Sequence, residues 1–165
     1  MPRMTGAEAI VKSMIAHGVD TVFALPGVQL DPLFNAFFDA GPALRVIHSR
    51  HEQGAGYMAW GYAAATGGVG TYAVVPGPGL LNTSAALSTA YATTAKVLCV
   101  TGQIPSGFIG RGVGLLHEIP DQLAVLRGLT KWAERIESPR EAPPAMAEAF
   151  RQLHTGRPRP VGVEM

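Results

Sequence analysis

One carboxylate in this chain is placed for proton chemistry. Glu52 lies in Ser49-Arg50-His51-Glu52-Gln53-Gly54-Ala55-Gly56, directly after a short apolar run, Arg45-Val46-Ile47-His48, that reads as a strand. From Ala55 the apolar residues recur at Met58, Ala59, Tyr62 and Ala63, the stripe of a buried helix face. Glu52 therefore stands where a strand hands over to a helix, and in an open α/β sheet that edge is where ligands bind. A second reading is available for the same residue. Ser49-x-x-Glu52 fits a capping box, in which the two side chains satisfy opposite helix-terminal donors, and the helix dipole favours a carboxylate in the first turn. Gly54, Gly56 and Gly61 each weaken the helix by up to about 1 kcal/mol relative to alanine. That cost implies that another helix or a ligand approaches the backbone closely.

Three other apolar runs end in rigid turns poor in side chains: Leu25-Pro26-Gly27, Val75-Pro76-Gly77-Pro78-Gly79 and Gly102-Gln103. Right-handed crossovers in a parallel sheet bring all strand C-termini to one side, so these turns and Glu52 share one crevice. Gly77-Pro78-Gly79 lacks the third glycine of a dinucleotide turn, and Pro78 removes a backbone donor. No phosphate loop of the Gly-x-x-x-x-Gly-Lys-Ser/Thr type occurs. The crevice thus suits a flat, uncharged ring better than a pyrophosphate. Gly110-x-Gly112-x-Gly114 follows no convincing strand and reads as a mobile loop rather than a nucleotide site. His48 and His51 flank Arg50 without a Cys or carboxylate pair at metal-ligand spacing, so no metal site is expected in this chain. Asp20, Asp31 and Asp39 fall at element ends and read as caps or surface charges. Cys99, the single cysteine, sits in an apolar run as a small buried hydrophobe.

The elements that position these residues alternate between helix and strand. Thr5-Gly6-Ala7-Glu8 is a capping box that opens a helix closed at His17-Gly18-Val19. Thr21–Leu25 is a strand, and a helix follows from about Gln29 to Phe38 with Pro32 in its first turn. Thr71–Val75 is a strand, Leu80–Ala92 one helix, Val97–Thr101 a strand, and Asp121 caps a short helix through Leu126. Thr130–Ile136 and Pro160–Glu164 read as strands flanking a helix over Glu141–His154. Strands that are continuously apolar are buried on both faces. The expected fold is α/β and three-layered: a mostly parallel sheet of about six strands with helices on both faces. The 165 residues make one domain, with residues 156–165 as the start of an exit toward a linker. Charged residues are only 15% of the chain and the formal net charge is +1, which gives no basis for nucleic-acid or membrane binding. The N-terminus lacks an apolar signal region, and a cytoplasmic location is expected.

Arg50-His51-Glu52-Gln53-Gly54-Ala55, Leu25-Pro26-Gly27, Gly77-Pro78-Gly79-x-x-Asn82 and Gly102-Gln103-Ile104-Pro105 stand in the order and spacing of thiamine-diphosphate enzymes. Over nearly its whole length the chain resembles the N-terminal pyrimidine-binding (PYR) domain of the acetolactate synthase-like group. The resemblance implies a thiamine-diphosphate-binding fold and a transferase or lyase acting on a 2-oxo acid by decarboxylation and carboligation or transfer. It implies that Glu52 is catalytic: the family's glutamate hydrogen-bonds N1′ of the aminopyrimidine ring and favours the imino tautomer that draws a proton from the thiazolium. It places Pro26, Gly27, Glu52, Val75, Pro78 and Asn82 around the cofactor's pyrimidine, and Gln103 and His117 on the substrate side.

Two positions depart from the family pattern. Val75 stands where a Thr is common, and Leu116-His117-Glu118 replaces the common Phe-Gln-Glu. His117 thus reads either as a substrate contact that changes the substrate or as a loop histidine bonding backbone. The family's diphosphate and Mg2+ are held by a separate domain carrying Gly-Asp-Gly, a sequence this chain does not contain. The resemblance therefore implies the N-terminal part of a longer enzyme, inactive as an isolated chain. Its implied partners are the diphosphate-binding domain of a partner subunit and the PYR domain of a second subunit, in a homodimer or homotetramer. FAD elsewhere in a full-length chain stays open, as do the donor and acceptor substrates. Two other readings remain at this point: a natural stand-alone PYR subunit of a split, sulfopyruvate decarboxylase-like enzyme, and a non-catalytic nucleotide-binding α/β module.

Overall fold

A computed structural model describes residues 4–165. Helix α1 (Gly6–Ala16) opens with the expected reciprocal cap: the Thr5 N–H donates to Glu8 Oε2 at 2.6 Å and the Glu8 N–H to Thr5 Oγ1 at 3.2 Å. It closes with bonds from Gly18 N–H to Ile15 O and from Val19 N–H to Met14 O, the expected glycine stop. The remaining elements are β1 (Thr21–Ala24), α2 (Asp31–Asp39), β2 (Arg45–His48), α3 (Glu52–Thr66), β3 (Gly70–Val74), α4 (Pro78–Asn82), α5 (Ser84–Ala92), β4 (Val97–Thr101), α6 (Gln122–Leu129), β5 (Trp132–Arg135), α7 (Ala142–His154) and β6 (Val161–Glu164).

The six strands form one sheet in the order β2-β1-β3-β4-β6-β5, and every pairing is parallel. Alternate strand residues feed two cores, as the two-residue period of a strand requires. Val22, Ala24, Ala73, Leu98, Val100, Val161 and Val163 face α1, α2 and α7, where Ile10, Met14, Leu33, Phe37, Met146 and Leu153 complete one apolar layer. Phe23, Tyr72, Val74, Val97 and Cys99 face the other side, where Ala55, Ala59, Leu80, Leu87, Ala90 and Leu126 of α3 to α6 complete the second. The fold is therefore the expected three-layer α/β arrangement, with an entirely parallel sheet.

Two local expectations change. The run expected as one helix over Leu80–Ala92 divides at Thr83 into α4 and α5. The Thr83 hydroxyl is buried, donates to Leu80 O at 2.7 Å and lies 2.9 Å from the Tyr72 hydroxyl. This side-chain network satisfies groups that a continuous helix would pair internally. The helix capped by Asp121 runs on to Leu129, three residues past the expected end at Leu126. Of the three α3 glycines, Gly56 carries the close approach: a Cβ there would lie 2.8 Å from Ala86 Cβ, so α3 and α5 touch backbone to side chain. A Cβ at Gly61 meets nothing within 4 Å.

Candidate functional site

The parallel sheet brings the C-terminal ends of all strands to one edge, and the turns after β1, β2, β3 and β4 converge there with the stretch 115–118. Glu52 is the first residue of α3. The N-cap is His51, with φ −152° and ψ 140°, and its Nδ1 accepts the Gln53 N–H at 3.2 Å. Ser49 instead donates its hydroxyl to His51 O at 2.8 Å. The capping box read from Ser49-x-x-Glu52 is thus not formed, because the helix starts two residues later than that box requires and a histidine takes the cap. That leaves the Glu52 carboxylate free of the helix end. It accepts a hydrogen bond at Oε2 from Asn82 Nδ2 at 2.9 Å, across the crevice from the last residue of α4. Oε1 makes no hydrogen bond among the described residues, and it lies 3.7 Å from where a Gly79 Cβ would stand.

Val75, directly after β3, is buried between two glycines. A Cβ at Gly79 would lie 2.5 Å from Val75 Cγ2, and a Cβ at Gly27 would overlap Val75 Cγ1. Both γ-methyls are therefore committed, one to each turn, and Val75 fills the side-chain space of both glycines beside Glu52 Oε1. Pro78 starts α4 and is exposed, as is Pro26 in the β1 turn. Gly77 has φ +58°, and its missing Cβ makes room for the His117 carbonyl.

His117 itself has φ +69°. Its Nδ1 lies 2.9 Å from Gln29 Oε1, and Gln29 Nε2 donates to Leu116 O at 3.1 Å. The Gly-rich stretch before it is ordered by one side chain. Glu118 accepts the N–H groups of Gly112 at 3.0 Å, Gly114 at 2.6 Å and Leu115 at 2.8 Å. These backbone donors, that of Leu115 first, hold the Glu118 carboxyl below the usual glutamate range. The reading of residues 110–114 as a mobile loop gives way to a backbone nest filled by the chain's own carboxylate.

Gln103 is held on the other flank. Its Oε1 accepts the Ile104 N–H at 2.8 Å and its Nε2 donates to Glu164 Oε2 at 3.4 Å. It lines a cavity of about 680 Å³ with Ile104, Pro105, Ile109, Arg135 and Met165. The structure brings Glu52, Asn82, Val75, Gly27 and Gly79 into one wall, and seats His117 on the β1 and β3 turns. It ties Gln103 to the end of β6, and no bond joins Gln103 to Glu52.

Sequence reasoning passed over Gln122. Its side chain is buried and accepts the Gly77 N–H at 2.8 Å while donating to Gly102 O at 2.9 Å and to Glu164 Oε2 at 3.0 Å. One amide thus fixes the β3 turn, the β4 turn and the end of β6. Glu164, fully buried and paired with Arg135, was legible only as a charge ending an apolar strand.

Residues 4–125 match the family model for the N-terminal TPP-binding domain of thiamine pyrophosphate enzymes. The chain belongs to this family. It is 37% identical over 162 residues to a probable 2-ketoarginine decarboxylase of Pseudomonas aeruginosa, covering 98% of this chain and 29% of that protein. It is 38% identical over 162 residues to a probable acetolactate synthase large subunit of Methanocaldococcus jannaschii, covering 98% of this chain and 27% of the relative. The acetolactate synthase isozyme 2 large subunit of Escherichia coli is 38% identical over 162 residues, with 98% of this chain and 29% of the relative covered. The chain therefore spans less than a third of the length of these relatives. For a TPP-binding domain, the wall beside Glu52 has the right chemistry for the cofactor's aminopyrimidine. The Val75 methyls pack where two glycines lack side chains, and beside them stands a carboxylate oxygen that makes no hydrogen bond among the described residues. No helix among the described residues is long and apolar enough to cross a membrane.

Proposed function

We propose that this chain is the aminopyrimidine half-site of a thiamine-diphosphate enzyme of the acetolactate synthase-like group, acting on a 2-oxo acid by decarboxylation and carboligation or transfer. The observation that carries the reading is the state of Glu52. The helix end does not use its carboxylate, Asn82 holds one oxygen, and the other makes no hydrogen bond among the described residues, beside the two glycine turns that Val75 packs between. When bound, thiamine diphosphate supplies the electron sink for 2-oxo acid chemistry. The protein's part is to hold and move a proton at Glu52 Oε1 toward the ring nitrogen N1′. Asn82 orients that carboxylate, and Gly27, Val75 and Gly79 with Pro26 and Pro78 give the ring its seat. A preorganised ionisable partner in a site closed to water counts for far more than in bulk solvent.

His117 and Gln103 serve the substrate side, His117 from the β1–β3 turns and Gln103 from the β4 end. Mg2+ and the diphosphate are assigned to a separate domain of a partner subunit, so the 165 residues alone are inactive. The small-residue face of α3 and α5, where Met58 and Tyr91 are exposed, is assigned to a second PYR domain in a homodimer or homotetramer. FAD, where a full-length protein carries it, lies outside this chain. The names of the relatives support two substrate classes, a 2-oxo acid with a cationic tail and pyruvate-like acids. The change from Phe-Gln-Glu to Leu116-His117-Glu118 favours a substrate other than that of acetolactate synthase.

The test is Glu52→Gln in the assembled enzyme. Proton transfer by a positioned side chain contributes roughly 10²–10⁴-fold, so thiamine-dependent turnover of 2-oxo acids is expected to fall by at least about a hundredfold. Unchanged turnover removes Glu52 from the reaction.

A further inference from the structure

His117 occupies a backbone conformation that residues other than glycine rarely adopt, at φ +69°. A half-buried side chain held in such a conformation at a crevice is a reason to ask what fixes it. Three contacts do. The His117 carbonyl fills the space left by the missing Gly77 Cβ. Glu118 anchors the preceding backbone through Gly112, Gly114 and Leu115. Gln29, from the short turn after β1, takes hold of the ring and of the residue before it at once.

The chemistry of the Gln29 amide decides more than position. Its Nε2 lies 3.1 Å from the Leu116 carbonyl oxygen, which can only accept. The amide group facing that carbonyl must therefore be the NH2, and the group facing His117 must be Oε1. A carbonyl oxygen can only accept as well, so the His117 Nδ1 at 2.9 Å from it must carry the proton. In the neutral imidazole the lone pair is then on Nε2, which makes no hydrogen bond among the described residues.

We propose that Gln29 is a positioning residue that locks His117 as the Nδ1–H tautomer, which leaves Nε2 as the ring's open proton or hydrogen-bond acceptor. This rests on the reading of the crevice as the active site, but the tautomer is a property of this chain by itself. An Nε2 acceptor fits a substrate or acceptor group that brings a donor, such as a hydroxyl or an ammonium. It does not fit a bare carboxylate.

The experiment is two-bond 1H–15N NMR of the His117 ring in this chain, at a pH of about 8 or above, where an ordinary imidazole is neutral. The expected result is a pyrrole-like Nδ1 and a pyridine-like Nε2. Gln29→Glu keeps an acceptor against Nδ1 and is expected to keep that assignment. Gln29→Met removes the acceptor and is expected to shift the population toward Nε2–H. A wild-type ring with the proton on Nε2 overturns the proposal, and so does an unchanged tautomer in a folded Gln29→Met chain. If Gln29→Met does not fold, Gln29→Glu decides: Nε2–H in that variant overturns the lock. None of these readings depends on turnover. Loss of activity in Glu52→Gln with the His117 tautomer as described supports both proposals. The described tautomer with full Glu52→Gln activity leaves the lock standing and overturns the function.

Discussion

Replacing Gly79 with alanine separates the wall described here from an ordinary helix start. Gly79 is the second residue of α4, where alanine is intrinsically better than glycine by about 1 kcal/mol, so propensity alone predicts that Gly79→Ala stabilises. The packing opposes it. The added Cβ would lie 2.5 Å from Val75 Cγ2, well inside contact, and Val75 cannot turn away because its other γ-methyl already fills the space at Gly27. Overpacking of this kind costs about 1–3 kcal/mol, which outweighs the propensity gain. Val75→Ala removes both γ-methyls and leaves only the Val75 Cβ position, 3.5 Å from the new methyl, an ordinary contact. In that background Gly79→Ala should become neutral or stabilising. A double-mutant cycle by urea unfolding reads the difference directly, and a coupling of at least about 1 kcal/mol is expected. If Gly79→Ala changes stability equally in both backgrounds, Val75 is not wedged between the two turns, and the packing of the wall beside Glu52 is wrong.

Other consequences are as direct. Gln122→Leu leaves the Gly77 N–H without its partner and takes a donor from Glu164 Oε2, while the Gly102 carbonyl keeps the Thr101 hydroxyl at 3.3 Å, so a loss of at least about 1–3 kcal/mol in urea unfolding is expected. A loss under about 1 kcal/mol would mean that the three strand ends are held by something else. Glu118 keeps its charge to lower pH than an unfolded glutamate. Its contribution to stability is therefore present above the unfolded pKa and is lost as pH falls through the depressed folded value. An NMR titration of the Glu118 carboxyl should show that lowered midpoint, with the Gly112, Gly114 and Leu115 amides moving together. An ordinary midpoint, or amides that do not follow it, contradicts the nest. Cys99 is fully buried and its thiol is pushed up to about 12, so it should resist thiol reagents at neutral pH until the chain unfolds. Labelling of the folded chain would contradict its place between the layers.

The fold was legible because its signals are local. Continuous apolar strands, the Thr5–Glu8 cap and the Gly18 stop each act within a few residues, and each appears where it was read. The shortfalls came from side chains whose partners lie far away in sequence. Ser49 and Glu52 satisfy the capping pattern, yet Asn82, thirty residues on, holds the carboxylate instead. Thr83 breaks a run of small residues because the Tyr72 hydroxyl meets it from the sheet. Gln29 and Gln122 carry no local pattern, since their meaning lies in loops that the topology brings to one edge. Turns after parallel strands, by contrast, could be placed at that edge from chain order alone.

The central claim is that this crevice takes the cofactor's aminopyrimidine and leaves the diphosphate to another domain. Calorimetric titration of thiamine diphosphate with Mg2+ tests it most directly. One cell holds this chain alone, and the other holds the assembly it forms with a diphosphate-binding domain, carried on the same polypeptide or on a second one. The account predicts tight binding by the assembly and none of comparable strength by the 165 residues alone. Tight binding by the chain alone, or no binding by the assembly, would contradict it.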